Sequence, residues 1–255
     1  MKLVDKIAIV TGGAMGNGKG IVDIFLKYGA KVCVLDYSDE INNLSSEIDA
    51  YKVDIRNKVD VIKAVIDIYN KYKKIDILVN NAGVCKLENF IDMDDELRDF
   101  HFDINIKGTW NVTKAVLPYM IKNNSGAIIN LSSVTGEMVA DSGEVAYATT
   151  KAALIGFTKS LAREVIDNNI RVNAILPGYI RTPMVDKMAK ETNPNNPEEV
   201  IDGIANAIPI KRLGKTTEIG ELAAFLACEE SSYITGTNIV IDGGSTLPET
   251  LTMGV

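Results

Sequence analysis

The stretch TGGAMGNGKG, residues Thr11 to Gly20, carries five glycines in ten positions. It follows the apolar run IAIV (7–10) and opens the apolar-periodic segment GIVDIFLKYGA. Strand, glycine loop and helix in that order predict a phosphate site, because the N–H groups at a helix N-terminus point at an anion. Two ligands compete for it. Gly13 to Lys19 reads G-x-x-x-x-G-K, most of a nucleoside-triphosphate loop, whereas Thr11 to Gly18 reads T-G-x-x-x-G-x-G, a dinucleotide spacing. The triphosphate reading requires Ser or Thr after the lysine to reach Mg²⁺, and Gly20 stands there. The dinucleotide reading requires a carboxylate about 20 residues on, at the end of the second strand. Asp36 ends VCVLD eighteen residues after Gly18, where both ribose hydroxyls can donate to it. The same VCVLD would suit a magnesium-binding strand end, so Asp36 favours the dinucleotide without deciding it.

Working outward, short β-branched runs alternate with helical patterns. Strands are predicted at 7–10, 31–35, 51–53, 76–79, 127–131, 170–175 and 238–241, most of them continuously apolar, as in parallel strands buried on both faces. Between them, segments such as VDVIKAVIDIYNKY and AYATTKAALIGFTKSLAREVI repeat apolar residues at helical spacing. This alternation predicts an α/β fold, a single-domain, Rossmann-type, doubly wound parallel sheet of about seven strands with helices on both faces. No linker, repeat or low-complexity tract divides the 255 residues, so one catalytic domain, 1–255, is expected. One excursion breaks the rhythm, Arg181 to Ile210 with ETNPNNPEE inside it. A connection of that length is usually functional, and it reads as a substrate lid.

Composition narrows the partners. Apolar residues make up 46% and charged residues 24%, with 27 basic against 34 acidic and a net charge of −7. No block of like charge stands out, which disfavours nucleic acid and anionic membrane surfaces. Cys33, Cys85 and Cys228 are far apart and in no metal spacing. Cys33 and Cys228 read as buried small apolar residues, which suits a reducing cytoplasm. The longest apolar run is about seven residues, far below the ~20 needed to span a bilayer, and the start of the chain lacks a signal-peptide pattern. A cytoplasmic protein is expected.

The far half of the chain decides the glycine question. AYATTK places Tyr147 and Lys151 four apart, on one face of a helix. NLSSVTG ends a strand with Ser132 and Ser133, at the carboxyl edge where such sheets bind ligands. A Tyr-x-x-x-Lys pair alone is commonly just helix surface. With the glycine turn, the strand-ending NNAG (80–83) and the Pro177–Gly178 pair it stops being a coincidence.

Together these motifs resemble the short-chain dehydrogenase/reductase family, from about residue 3 to residue 246. TGGAMGNG, LVNNAG, INIKG, NLSS, YATTK, RVNAILPGYIRTPM and YITGTNIVIDGG carry the likeness. NNAGVC, SSVTGEMVAD and the tail DGGSTLPET are also similar to one oxidoreductase subgroup of that family. The resemblance implies a nicotinamide cofactor, a homotetramer and a catalytic set of Asn105, Ser133, Tyr147 and Lys151. It places the dinucleotide against Gly12, Met15, Gly16, Asn17 and Gly18, with Asp54 and Ile55 bracketing the adenine and Asn81, Ala82 and Gly83 flanking the ribose. Tyr147 and Lys151 also touch the cofactor, Pro177 and Gly178 lie beside it, and Ile180 and Thr182 meet the nicotinamide carboxamide. Two departures stand out. Ser133 lies fourteen residues before Tyr147, where thirteen is commoner in the family, and Asn17 stands where the family usually has Ile or Leu.

Tyrosine has a pKa near 10. A cation about 4 Å away contributes roughly 4 kcal/mol at an effective dielectric of 20, so Lys151, helped by an oxidised nicotinamide ring, is expected to lower Tyr147 by up to about three units. Tyr147 then exchanges a proton with the substrate alcohol. The resemblance implies that Ser133 holds the substrate oxygen and that the backbone at Asn105 holds a water linking Lys151 to solvent; Ser132 is the alternative, though one strand position earlier it points to the opposite side. Asp36 would repel a 2′-phosphate, and Met15, Asn17 and Tyr37 supply no arginine, so the expected cofactor is NAD (NADH).

Met138 follows the serine, and Met184 and Met188 sit on the lid. Their adaptable side chains suggest a hydrophobic alcohol or ketone such as a hydroxysteroid. A 3-oxoacyl-thioester reductase, a sugar or polyol dehydrogenase and an NADH-binding sensor or scaffold are the alternatives. The only histidine, His101, reads as a helix residue, with no metal site expected, and DMDDELRDF as a solvated helix face. Trp110 resembles the family's subunit-packing helix.

Overall fold

The computed structural model describes residues 2–247. Residue 1 and residues 248–255, including the end of DGGSTLPET, lie outside them. The first half of the fold runs β1 (Ile7–Thr11), α1 (Gly16–Lys27), β2 (Lys31–Asp36), β3 (Asp49–Lys52), α2 (Lys58–Tyr72) and β4 (Ile77–Asn80). The second begins with α3 (Asp95–Phe102), a π-helical stretch Asp103–Gly108, α4 (Thr109–Asn123), β5 (Gly126–Leu131), α5 (Val145–Val165) and β6 (Ile170–Pro177). Then come β7 (Ile180–Arg181), α6 (Pro183–Thr192), α7 (Pro197–Ala207), β8 (Gly214–Lys215), α8 (Thr216–Ala227) and β9 (Asn238–Ile241).

Seven strands form one parallel sheet in the order β3-β2-β1-β4-β5-β6-β9. The period of two along β1 shows how the core divides. Ala8 and Val10 pack on α1 and α8, whereas Ile7 and Ile9 face α2, α4 and α5. Buried on both sides, the strand has no polar face to offer, which explains its unbroken apolar sequence.

The expected seven strands are all present, with shifted ends. β3 begins two residues early, and β6 continues to Pro177 and so carries it to the sheet's carboxyl edge. The 181–210 excursion is mostly helical. Thr182 caps α6 through its hydroxyl, which accepts from Val185 N–H, and Pro183 sits at the first turn. Ala189, Ile201, Ile208 and Leu213 give this region a small core of its own. Arg181 braces it, donating to Asp186 at 3.0 Å and Glu198 at 2.5 Å. The two-residue ladder of β7 with β8 has too little sequence to show a period.

The order of strand addition reverses between β1 and β4, since β1 leads outward to β2 and β3 while β4 begins the other half. Such a switch point opens a crevice at the carboxyl ends of the strands. Among the described residues no helix is long and apolar enough to cross a membrane, and none form a cluster of three or more metal-ligating side chains.

Candidate active site

The glycine loop is shaped by the strand beside it. Asn81 Nδ2 donates to the carbonyls of Thr11 (3.0 Å) and Gly12 (2.9 Å), and Thr11 Oγ1 accepts from Asn81 and Ala82 N–H at 3.0 Å each. Gly12 turns the chain with φ +62°. A Cβ on Gly18 would lie 2.0 Å from the Gly12 carbonyl oxygen, so α1 can press against the loop only with glycine there. Asp36 closes the turn from the next strand, accepting from Ala14 N–H and Ser38 N–H at 2.9 Å each. Each carboxylate oxygen keeps a lone pair for a ribose hydroxyl.

A cavity of about 500 Å³ opens over this loop at the switch point. At one end it is walled by Gly12, Met15, Gly16, Asn17, Asp36, Asp54 and Ile55, and at the middle by Asn81, Ala82 and Gly83. At the other end stand Ser133, Tyr147, Lys151, Pro177, Gly178, Thr182 and Met184. A smaller cavity of about 370 Å³ lies beside Trp110, between α2 and α4, and shares none of these residues.

Five expected residues do not line the main cavity. Gly18 lies beneath it, packed on the Gly12 carbonyl. Ile180 is buried in β7, where it packs on Gly214. Met138 and Met188 are exposed away from the wall, which leaves Met184 as the only one of the three methionines on it. Asn105 is buried behind Gly83, whose Cβ would lie 3.2 Å from the Asn105 Oδ1. The Asn105 amide is fully engaged: Oδ1 accepts from Val84 N–H (2.8 Å), and Nδ2 donates to the Val84 carbonyl (3.0 Å) and Thr150 Oγ1 (2.9 Å). It sits in the π-helical stretch, an irregularity that often marks a functional position. Its carbonyl accepts from Thr109 Oγ1 at 3.0 Å.

Both serines line the cavity, but their hydroxyls do different things. Ser132 Oγ donates to the Lys151 carbonyl at 2.7 Å and so anchors α5. Ser133 Oγ caps the short turn Val134–Gly136, accepting from Thr135 N–H at 3.2 Å, and Tyr147 also feels it. Lys151 is buried, its Nζ donating to the Leu131 carbonyl at 2.7 Å and standing 5.6 Å from the centre of the Tyr147 ring.

The expected depression of Tyr147 is not found. Burial pushes its hydroxyl up to about 12, with Cys85 and Glu144 adding to the rise and Ser133 opposing it. Burial also pulls Lys151 down to about 8. Desolvation dominates at both groups, and the lysine's proton is directed at a main-chain carbonyl rather than at the phenol.

Several wall residues escaped sequence reasoning. Arg56 clamps Asp54, with Nη2 at 2.6 Å and Nε at 3.0 Å from Oδ2, and holds that carboxyl below its ordinary value. Phe100 shares the wall, with Lys86 Nζ 4.6 Å and the Arg56 guanidinium 5.9 Å from its ring centre. Cys85 faces the cavity, its thiol pushed up to about 11 by burial. His101 is buried and pins the strap carrying Cys85: Nε2 accepts from Lys86 N–H at 3.0 Å, while Nδ1 lies 2.9 Å from the Leu97 carbonyl. Arg56, two residues after Asp54, was open to a local reading. Phe100 and His101 reach the site only by tertiary packing.

A dinucleotide fits this wall. The glycine cradle admits close approach, and two wall oxygens, Asn17 Oδ1 and Ser38 Oγ, are buried with no protein partner, as groups awaiting a polar ligand would be.

A short-chain dehydrogenase family model, described as enoyl-(acyl carrier protein) reductase, matches residues 12–246. Oxidoreductase UcpA of Salmonella typhimurium is 56% identical over 261 residues, spanning 100% of this chain and 99% of that protein. The 3-oxoacyl-[acyl-carrier-protein] reductase FabG of Thermotoga maritima is 39% identical over 252 residues, spanning 96% and 99%. The ligand-free structure of aldohexose dehydrogenase from Thermoplasma acidophilum matches with a TM-score of 0.93 at 34% identity, covering 99% of this chain and 98% of that one.

Proposed function

The chain belongs to the short-chain dehydrogenase/reductase family, and from that premise we propose that it is an NAD(H)-dependent oxidoreductase interconverting a secondary alcohol and its ketone. The reading rests on one arrangement: Ser133, Tyr147 and Lys151 close one end of a cavity whose other end is the glycine loop and Asp36. When bound there, the nicotinamide accepts or supplies hydride and, in its oxidised form, brings a positive charge.

The protein's own residues handle the proton. Tyr147, held protonated by burial, donates to the carbonyl oxygen in reduction and takes the hydroxyl proton in oxidation. Ser133 orients that oxygen, and Lys151 places its charge beside the phenol. The main chain at Asn105, in the π-helical stretch, is the place for a water leading the proton outward. Asp36 supports NAD(H) over the phosphorylated form, because a buried carboxylate repels a 2′-phosphate. Arg56 sits on the same wall but is spent on Asp54.

We carry three further assignments as part of this proposal. The 181–210 region acts as a substrate lid, through Met184 on the cavity wall. The protein is cytoplasmic. It assembles as a homotetramer, which would cover the apolar side chains now exposed near Trp110, itself 55% exposed. A hydrophobic substrate such as a hydroxysteroid keeps one of its three supporting methionines on the wall. The Thermoplasma neighbour is an aldohexose dehydrogenase, which favours a hydroxylated substrate as the second reading.

Following nicotinamide absorbance over steroid, polyol and 3-oxoacyl substrates with NAD(H) and NADP(H) tests the proposal. Turnover with NAD(H) is expected. Turnover with NADP(H) alone contradicts the role of Asp36, and NADH binding without any turnover leaves a sensor.

A further inference from the structure

Among the described residues, five side-chain oxygens are buried with no hydrogen-bond partner. Two of them, Asn17 Oδ1 and Ser38 Oγ, belong to residues on the wall of the main cavity. Ser38 follows Asp36 by two residues and stands at the ribose end already described. Asn17 is the stronger observation, because its whole amide is unspent. Oδ1 has no partner, and Nδ2 donates to no group among the described residues. The other asparagine amides nearby are committed to the fold. Asn81 Nδ2 holds the Thr11 and Gly12 carbonyls, and the Asn105 amide holds both main-chain groups of Val84 and the Thr150 hydroxyl.

The backbone fixes where this amide can act. Asn17 is the second residue of α1, between Gly16 and Gly18, so it supplies the only side chain in those three positions. Gly16, with φ +56°, faces the 181–210 region: a Cβ there would lie 3.8 Å from Thr182 Cγ2. Gly18 presses on the Gly12 carbonyl. Asn17 therefore lines the cavity beside the first-turn N–H groups of α1, which favour an anion. No acidic residue stands in that turn to oppose one. An amide offers both a donor and an acceptor, and a buried polar oxygen left without a partner is costly until a ligand or water completes it.

We infer that Asn17 is a cofactor-orienting residue whose amide hydrogen-bonds the diphosphate of the dinucleotide and its adjoining ribose, Nδ2 donating to a phosphate oxygen and Oδ1 accepting from a hydroxyl. The inference rests on the cofactor reading above and deepens it. The N–H groups of the glycine loop are donors alone, so they hold an anion without reading the hydroxyl beside it. Asn17 adds the acceptor they lack and a further donor. An Ile or Leu at this position would supply neither.

The test follows NADH binding by its fluorescence, and its displacement by ADP-ribose and by adenosine, in wild type, Asn17→Leu and Asn17→Asp. Thermal melts without ligand are run on the same samples. Asn17→Leu is expected to weaken NADH and ADP-ribose by about 10-fold or more, since one of the lost bonds is to a charged group. Asn17→Asp is isosteric and keeps an acceptor, but it sets a carboxylate against the diphosphate. It is expected to weaken both ligands further, and less so as salt is raised. Adenosine, which carries no phosphate, is expected to bind all three proteins alike. Without ligand, the Tm of Asn17→Leu is expected to equal or exceed that of wild type, because the unpaired amide is gone. ADP-ribose bound as tightly by either variant as by wild type, or weakened only in step with adenosine, overturns the inference alone. A wild type that binds neither NADH nor ADP-ribose overturns the cofactor reading and this inference with it.

Discussion

Lys151 donates its ammonium proton to the main-chain carbonyl of Leu131 across 2.7 Å, tying the middle of α5 to the end of β5. The bond positions a buried cation below the Tyr147 ring without letting it touch the hydroxyl. It follows that the lysine's charge is a cost to the fold that the site retains.

That cost is visible as a pH dependence of stability. Lys151 falls from 10.5 in the unfolded chain to about 8 in the fold. Between those values the unfolded state binds more protons, so stability rises with pH across the window. At 1.4 kcal/mol per unit the gain reaches roughly 3 kcal/mol. Urea unfolding of wild type and Lys151→Met from pH 7.5 to 10.5 reads it as a difference, which cancels cysteines and tyrosines titrating in both. Wild type is expected to gain on the variant as pH rises, and a constant difference would contradict the burial argument.

Tyr147 carries the opposite sign. Its hydroxyl rises from 10.0 to about 12 in the fold, so stability falls as pH rises between those values, and Tyr147→Phe removes that component. For catalysis, a phenol that stays protonated suits ketone reduction at neutral pH. Alcohol oxidation is expected to speed up steadily toward pH 10, and an oxidation rate already level at pH 7 would show that the phenol ionises far lower.

Gly18→Ala places a methyl 2.0 Å from the Gly12 carbonyl oxygen and 2.5 Å from Asn81 Nδ2. Neither backbone nor amide can yield without opening the glycine loop. Overpacking of this kind costs about 1–3 kcal/mol, and NADH affinity is expected to drop at least about 10-fold because the anion-facing N–H groups move. Titration of intrinsic NADH fluorescence checks it.

His101 holds Lys86 N–H from a fully buried position. His101→Leu leaves that donor without a partner, which costs about 1–3 kcal/mol. Hydrogen exchange at the Lys86 amide is expected to accelerate in His101→Leu and to change less in His101→Gln, which keeps an acceptor. Equal exchange in all three would show that the strap is held elsewhere.

Much of this architecture was legible in the sequence, because parallel strands and amphipathic helices write their periods locally. The glycine loop, Asp36, Asn81 and the Tyr147–Lys151 pair were legible for the same reason. Three things were not. The π-helical turn that buries Asn105 leaves no periodic mark over six residues. Phe100 and His101 gain their meaning only from what folds against them. The direction of the Tyr147 shift in the protein alone depends on burial, which no spacing reveals.

The most direct test of the central claim is turnover by wild type and Tyr147→Phe with NAD⁺ and the alcohol of the steroid and polyol panel that wild type oxidises fastest, alongside NADH titration of both. A loss of about 10²- to 10⁴-fold in kcat with NADH affinity preserved is predicted, the range for removing a general acid–base group. Equal turnover by the two proteins would contradict proton transfer by Tyr147.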